Sequence, residues 1–254
     1  AKEDFSPARV ASLRIGIIAG AGCSPEEFER IQHSFDRGFT LMSSLGQTEC
    51  TAGLTVCNIG DPLAVRSHTV GHFMSHVEGK IVDLASGAEL PVGEEGEICV
   101  RGYLTMQGYF DDPGATANTL DADGWVHTGD LGRLDAEGNI TLCGRCTELI
   151  IRGGENISPV EIEHALAKNP AVAECKVVGV PDAHFGEEIC ACIRLADGAS
   201  ADADAVREHL RPQLAYFKLP RYIVFLDDLP KTQKGAVSGR ECRRAAMREL
   251  FDLT

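Results

Sequence analysis

Apolar residues run together from Leu13 to Ala19 and again from Phe39 to Leu45, and a mixed apolar and charged stretch lies between them. That stretch opens with Ser24-Pro25-Glu26-Glu27. A serine before a proline, with Glu three residues on, is the signature of a capped helix start. The pattern predicts a buried strand, a turn at Gly20-Ala21-Gly22, a helix to about Asp36 and a second strand. Such a βα unit is where α/β proteins bind ligands. The apolar strand follows only twelve residues, and a buried parallel strand needs neighbours, so the chain is expected to be part of something longer.

From Gly60 to Cys143 the pattern shortens to alternating runs (GKIVDLASG, GEICVRG, GNITLCG) broken by Gly, Asp and Pro. This predicts an antiparallel sheet or small barrel. A second Ser-Pro-x-Glu signal at Ser158-Pro159-Val160-Glu161 predicts a helix through about Ala167. Strands are expected at Glu174 to Val180, Ile189 to Leu195 and Tyr222 to Leu226. A helix is expected from Asp202 to Leu214, and a basic helix from about Ser238 closes the chain. The expected fold is therefore an α/β remnant with an antiparallel β-barrel-like subdomain, followed by a small α+β C-terminal domain. The boundaries are 1–145 (a βα lobe at 1–60 and a β subdomain at 61–145) and 146–254.

Composition narrows the class. The 254 residues are 44% hydrophobic and 24% charged, as in folded globular domains, and the formal net charge of -14 argues against a nucleic-acid surface. No run approaches the length of a membrane span and no signal-type segment opens the chain. The ten cysteines are scattered, mostly in apolar runs. Cys190 and Cys192 would share one strand face with no second pair to complete a zinc site, so buried thiols in a reducing compartment are expected. Cytoplasm is the expected location.

Four segments could carry chemistry. In Trp125-Val126-His127-Thr128-Gly129-Asp130, an Asp after a Thr-Gly turn at a sheet edge could accept hydrogen bonds from a vicinal diol such as ribose, or simply cap a turn. Arg152-Gly153-Gly154-Glu155 could admit a ligand or make a turn. Leu45-Gly46-Gln47-Thr48-Glu49 sets a hydroxyl beside a carboxylate, a pair suited to phosphate and Mg²⁺. Pro230-Lys231-Thr232-Gln233-Lys234-Gly235 is a cationic loop that could reach an anion or stay solvated. His68, His72 and His76 would align three imidazoles on a helix, but Val70 to Gly79 reads as extended, so only His72 and His76 would share a face and ordinary strand histidines are expected rather than a metal site.

The order of segments is more telling than any one of them. GQTE, GDP, GYFDDPGAT, GWVHTGDLG, GRCTELIIRGGENISPVEIE, VVGVPDAHFGEE and YFKLPRYIVFLDDLPKTQKG resemble, in order, the motifs of the acyl-adenylate-forming superfamily. That family includes acyl-CoA synthetases, luciferases and peptide-synthetase adenylation domains, and the resemblance covers nearly the whole chain. The IIRGGENISP and LPKT forms are most similar to fatty acyl-CoA ligases and their aryl-CoA relatives.

The resemblance implies an ATP-dependent ligase, fatty acyl-CoA synthetase in kind, with Mg²⁺, ATP and CoA as cofactor and co-substrates and a fatty or aryl acid as substrate. Carboxylate and ATP would give acyl-AMP and pyrophosphate, and the CoA thiol would then displace AMP. It places Thr48 at the α-phosphate, Glu49 on Mg²⁺, Asp130 on the ribose hydroxyls and Arg145 in support of that contact. Gly20, Ala21 and Gly22, with Cys23, would lie along adenine and acyl group, and Leu45, Gly46 and Gln47 would complete the nucleotide site. Gly153, Gly154 and Glu155 would line the CoA channel, and Thr147 would be the hinge about which the small domain rotates. A homodimer is left open.

Three departures accompany the resemblance. The family's glycine-rich triphosphate loop has no counterpart in these residues. Leu45 stands where a tyrosine usually offers a stacking face. Ala236 stands at the position of the catalytic lysine, a loss expected to cost roughly 10²–10³-fold in adenylation, as for one preorganised donor. Lys234 would point the same way as Ala236 if the loop were extended. The chain alone is therefore expected to be inactive, and a non-catalytic AMP- or CoA-binding member is the alternative.

Overall fold

The computed structural model describes residues 6–20, 22–35, 38–232 and 235–251. The chain divides into two units, Ala1–Cys143 and Gly144–Thr254.

In the first unit, β1 (Ile15–Ile18) and β2 (Thr40–Ser43) pair in parallel, joined by α1 (Pro25–His33). The helix begins as the capping signal predicts, with Ser24 Oγ accepting the Glu27 amide at 3.2 Å. Phe28, Phe39 and Leu41 bury themselves between helix and sheet. β1 departs from the expected buried strand: Ile15 and Ile17 are 45% and 58% exposed. Only β2 pairs with it among the described residues, and its other face has no packing layer there.

Next come β3 (Thr55–Val56), α2 (Leu63–His68) and β4 (His72–Phe73), with β3 and β4 antiparallel. Within Val70 to Gly79, expected to be extended, His72 lies in β4 but His76 takes left-handed backbone at φ 65° before the next strand, so the stretch is not extended throughout. β5 (Val77–Val82), β6 (Gly96–Gly102), β7 (Val126–Leu134) and β8 (Ile140–Arg145) form one antiparallel sheet in that order. The described strands make an open sheet rather than a closed barrel. Between β6 and β7 lies α3 (Pro113–Thr119), capped by Asp112 Oδ1 on the Ala115 amide. Its Asp-Pro start is the signal that the alternation masked. Ile81, Ile98, Val100, Val126 and Ile140 build the core of this sheet, together with Cys50 and Leu54 from the preceding loop.

The second unit begins with a hairpin, β9 (Ile150–Arg152) and β10 (Glu155–Ile157), turning on Gly153 and Gly154 at φ 59° and 91°. Positive φ at both central residues is what a two-residue hairpin turn of this hand requires. α4 (Pro159–Ala167) follows; it starts at Ser158 as expected, but that side chain makes no capping bond. β11 (Val172–Asp182) and β12 (Gly186–Leu195) pair antiparallel, and β13 (Tyr222–Phe225) joins β12 in parallel. α5 (Ala203–Leu210) and α6 (Gly239–Phe251) complete the unit.

Alternate residues of β11 and β12 face opposite ways, and both faces are covered. Val177, Ile189, Ala191 and Ile193 pack with α4 and α5. Val178, Val180, Cys190 and Cys192 pack with α6 through Cys242 and Ala246. Cys190 and Cys192 thus share a face, as the C-x-C spacing predicts, and all ten cysteines are free thiols.

Candidate functional site

The Thr128-Gly129-Asp130 segment sits within β7, an inner strand between β6 and β8, and not at a sheet edge. Its register explains how an inner strand can present a polar side chain. Glu97 pairs with Leu131 and Cys99 with His127, so three residues of β7 oppose the single residue Ile98. Extra residues on one strand leave the ladder and re-aim their side chains. Here the bulge is stitched by side chains. Thr128 Oγ1 donates to the Ile98 carbonyl at 2.7 Å and accepts the Asp130 amide at 3.1 Å. Glu97 Oε1 accepts the Gly129 amide at 2.9 Å, and Oε2 lies 2.8 Å from His127 Nδ1. Asp130 is 6% exposed.

The same place holds a cluster that sequence spacing does not reveal. Carboxylate, thiol and imidazole atoms of Glu97, Cys99 and His127 lie within 4.8 Å of one another, a set capable of holding a metal ion. Cys99 Sγ is 3.5 Å from His127 Nδ1, and Asp121 Oδ2 is 3.9 Å from Nε2. The imidazole and carboxylate already satisfy each other. The residues come from two strands and meet only through the pairing.

The Gly46 to Glu49 turn is built as tightly. A Cβ on Gly46 would stand 1.7 Å from the Ala52 carbonyl oxygen, so only glycine fits. The Ala52 amide donates to the Gln47 carbonyl, and Thr51 and Ala52 take left-handed backbone at φ 52° and 65°. Thr48 is exposed and Glu49 half-buried. The Glu49 carboxylate is oriented by Tyr109, whose hydroxyl donates to Oε1 at 2.7 Å; that bond and burial hold the phenol pKa above its ordinary value. A single carboxylate beside an exposed hydroxyl fits a cation that takes its other ligands from phosphate and water. Leu45 instead packs against the sheet core. Tyr109 was not foreseen as a partner of Glu49, from which it is sixty residues distant.

Gly20 and Gly22 are exposed, and Cys23 is half-buried, with its thiol raised to about 11 by desolvation and Glu27. Ala21 lies outside the described residues.

In the second unit Arg145 and Thr147 are exposed. Glu148, immediately after Thr147, accepts Lys176 Nζ at 3.1 Å, and Lys176 also lies 3.2 Å from Glu163. Burial would lower the Lys176 pKa, but the two carboxylates outweigh it and raise it. Gly153, Gly154 and Glu155 form an exposed hairpin end. The strand before it is anchored by Arg152, which pairs with the buried Glu188 and stacks 4.1 Å above Phe185. The Gly153 amide donates to the Phe185 carbonyl at 2.9 Å. Ala236 is exposed in a tight turn, with Lys231 bridged to Val237 and the Thr232 amide donating to the Ala236 carbonyl at 2.7 Å. Gln233 and Lys234, and with them the expectation that Lys234 points the same way as Ala236, lie outside the described residues.

No described helix is long and apolar enough to cross a membrane. A family model described as AMP-binding enzyme matches residues 1–110, and one described as AMP-binding enzyme C-terminal domain matches residues 161–236. A Bacillus subtilis (strain 168) protein that carries the provisional name acyl-CoA synthetase YngI is 39% identical over 252 residues, 99% of this chain and 45% of that protein. The medium-chain acyl-CoA ligase ACSF2, mitochondrial, of Rattus norvegicus is 38% identical over 250 residues, 98% of this chain and 40% of the relative. The crystal structure of ATP-bound MatB from Rhodopseudomonas palustris superposes with a TM-score of 0.85 at 29% identity, covering 97% of this chain and 54% of that one. The chain thus spans less than half the length of the curated relatives it matches. Matched by both family models and aligned with such relatives over nearly all its residues, the chain belongs to the acyl-adenylate-forming superfamily of AMP-binding enzymes.

Proposed function

We propose that the protein is an ATP-dependent carboxylate:CoA ligase that forms an acyl adenylate from a fatty or aryl acid and passes the acyl group to CoA. The observation that carries this reading is Asp130, a buried carboxylate delivered by a stitched bulge. A buried carboxylate on a backbone fixed in that way suits a vicinal diol, because each of its two oxygens can accept a hydrogen bond from one hydroxyl. The exposed Thr48 hydroxyl would meet the α-phosphate. Glu49, oriented by Tyr109, would hold Mg²⁺, whose charge would offset that of the phosphates. Gln47, Gly46 and Leu45 would form the adjoining wall through their backbone, and Gly20 to Cys23 would run along adenine and acyl group. Arg145 would support the ribose contact.

For the second step, Gly153, Gly154 and Glu155 would line the CoA channel, and Thr147 would act as the hinge of a rotating small domain. Lys176, by holding Glu148, gives the residue after that hinge a fixed attachment within its own unit.

The test is a chimera in which these residues replace the matched region of the Bacillus subtilis relative, assayed with Ala236 and with Ala236→Lys. Carboxylate-dependent ATP–pyrophosphate exchange should appear with lysine and fall roughly 10²–10³-fold with alanine. No exchange with any fatty or aryl acid, when the relative itself is active, refutes the ligase reading.

A second reading is favoured by Ala236 itself, an exposed methyl group where the family has its catalytic cation. On that reading the protein holds AMP or CoA without making adenylate. Calorimetry of AMP and CoA against the chain, with Asp130→Ala as control, separates the two when set beside the exchange assay.

A further inference from the structure

We infer that Glu97 is a positioning residue for Asp130, fixing the direction of the ribose-binding carboxylate without touching the nucleotide. The inference rests on the reading of Asp130 as the diol acceptor. Its ground is the accounting of backbone groups at the bulge. Where Thr128, Gly129 and Asp130 stand opposite Ile98 alone, the ladder cannot satisfy every amide, and an unpaired buried amide is costly. Two side chains take over. Thr128 serves the Asp130 amide and the Ile98 carbonyl, and Glu97 serves the Gly129 amide.

Glu97 also reaches His127, the residue that re-enters the ladder opposite Cys99. One carboxylate therefore spans the bulge from His127 to Gly129, and its side chain is only 14% exposed. Gly129, at φ 70°, is the residue immediately before Asp130. Glu97 holds the Thr128–Gly129 peptide and Thr128 holds the Gly129–Asp130 peptide, so the Gly129 dihedrals fixed between these two bonds set where the Asp130 Cα–Cβ bond points. Releasing the Gly129 amide lets the bulge pivot, and the diol contact, which depends on direction, is lost before the fold is.

The test is calorimetry of this chain with AMP and with 2′,3′-dideoxy-AMP, which lacks the diol. Wild type should prefer AMP, and Asp130→Ala should erase the preference. Glu97→Met, similar in length but with no acceptor oxygen, should weaken AMP by roughly tenfold or more, the scale of one lost bond to a charged acceptor. Its affinity for the dideoxy nucleotide should stay nearly unchanged. Glu97→Gln, whose amide oxygen can still accept from Gly129, should retain most of the preference. Glu97→Ala carries the same expectation as Glu97→Met should the latter not fold.

A purely structural role for Glu97 would weaken both nucleotides alike, and that result overturns the inference. So does an intact preference in Glu97→Met while Asp130→Ala has lost it, which leaves the reading of Asp130 standing. A wild-type chain with no diol preference overturns both.

Discussion

Replacing Glu188 by glutamine probes how the second unit holds the base of its glycine hairpin. The Glu188 side chain is 3% exposed and receives Arg152 through two contacts, Nε to Oε1 and Nη2 to Oε2, the latter at 3.2 Å. Arg221 Nη1 lies 3.6 Å from the same Oε2. Glutamine keeps the volume and one acceptor but turns an amide donor toward two guanidinium groups. Breaking a buried pair from one side costs about 3–5 kcal/mol when the remaining charge is trapped. Here it is not fully trapped. Arg152 is 23% exposed and keeps its stack on Phe185, and Arg221 is 52% exposed and keeps Asp182 at 3.1 Å. The loss should therefore approach that of one charge-assisted hydrogen bond, about 2–3 kcal/mol. Urea unfolding followed by far-UV circular dichroism measures it, while fluorescence of Trp125, the chain's single tryptophan, reports the first unit separately. The double change Arg152→Met with Glu188→Met should recover most of the loss, because an apolar pair removes the desolvation cost of both charges. A loss below about 0.5 kcal/mol for Glu188→Gln, the range of exposed pairs, would refute the reasoning.

Other expectations follow from the same structure. Gly46→Ala should destabilise the first unit by about 1–3 kcal/mol or more, read from Trp125 fluorescence, because the Ala52 carbonyl at 1.7 Å is backbone and cannot rotate away. Asp135 closes the β7–β8 turn by accepting from the Glu137 and Asn139 amides and the Asn139 side chain. Burial would raise its pKa, but these bonds outweigh it and lower it from 3.8. The folded-state pKa being depressed, its stabilisation is present above the ordinary aspartate value and lost as pH falls through the folded one. Asp135→Ala should thus cost about 1–2 kcal/mol at neutral pH, and the gap from wild type should close in acid denaturation curves below that value. In a thiol titration of the native chain at mildly alkaline pH, Cys50, Cys57, Cys99, Cys190, Cys192 and Cys242 should stay unreacted because they are buried. Cys23 and Cys175, raised to about 11 and about 12 by desolvation, should also stay unreacted. Unfolding should release ten thiols, and a smaller count would contradict the absence of disulfides.

The order and type of most long elements follow from local physics, which a sequence displays directly. Ser24 before Pro25 starts α1, period-two runs make β6, β11 and β12, and the C-x-C spacing puts Cys190 and Cys192 on one face. Short elements were less legible. α3 was hidden in an alternating stretch, and although Gly153-Gly154 could be read as a turn, the short strands β9 and β10 that it joins were not anticipated. In each the signal spans two or three residues, too few to outweigh the pattern around them. Conversely, the exposure of Ile15 and Ile17 in β1 depends on what packs beside the strand, which its own composition cannot show.

For the site, sequence by itself named Thr48, Glu49 and Asp130, because their types and their order along the chain carry the family resemblance. Only the tertiary structure decided how they are held. The bulge at Thr128 to Asp130 exists because β6 and β7 meet in a particular register, and register is a property of two strands together. Glu97 and Tyr109 act on residues thirty-two and sixty positions away, Gly129 and Glu49 respectively. Leu45 turns into the core rather than outward because Cys50 and Leu54 return to meet it. Contacts of that range are set by chain closure and packing, which no local pattern of apolar and polar residues encodes.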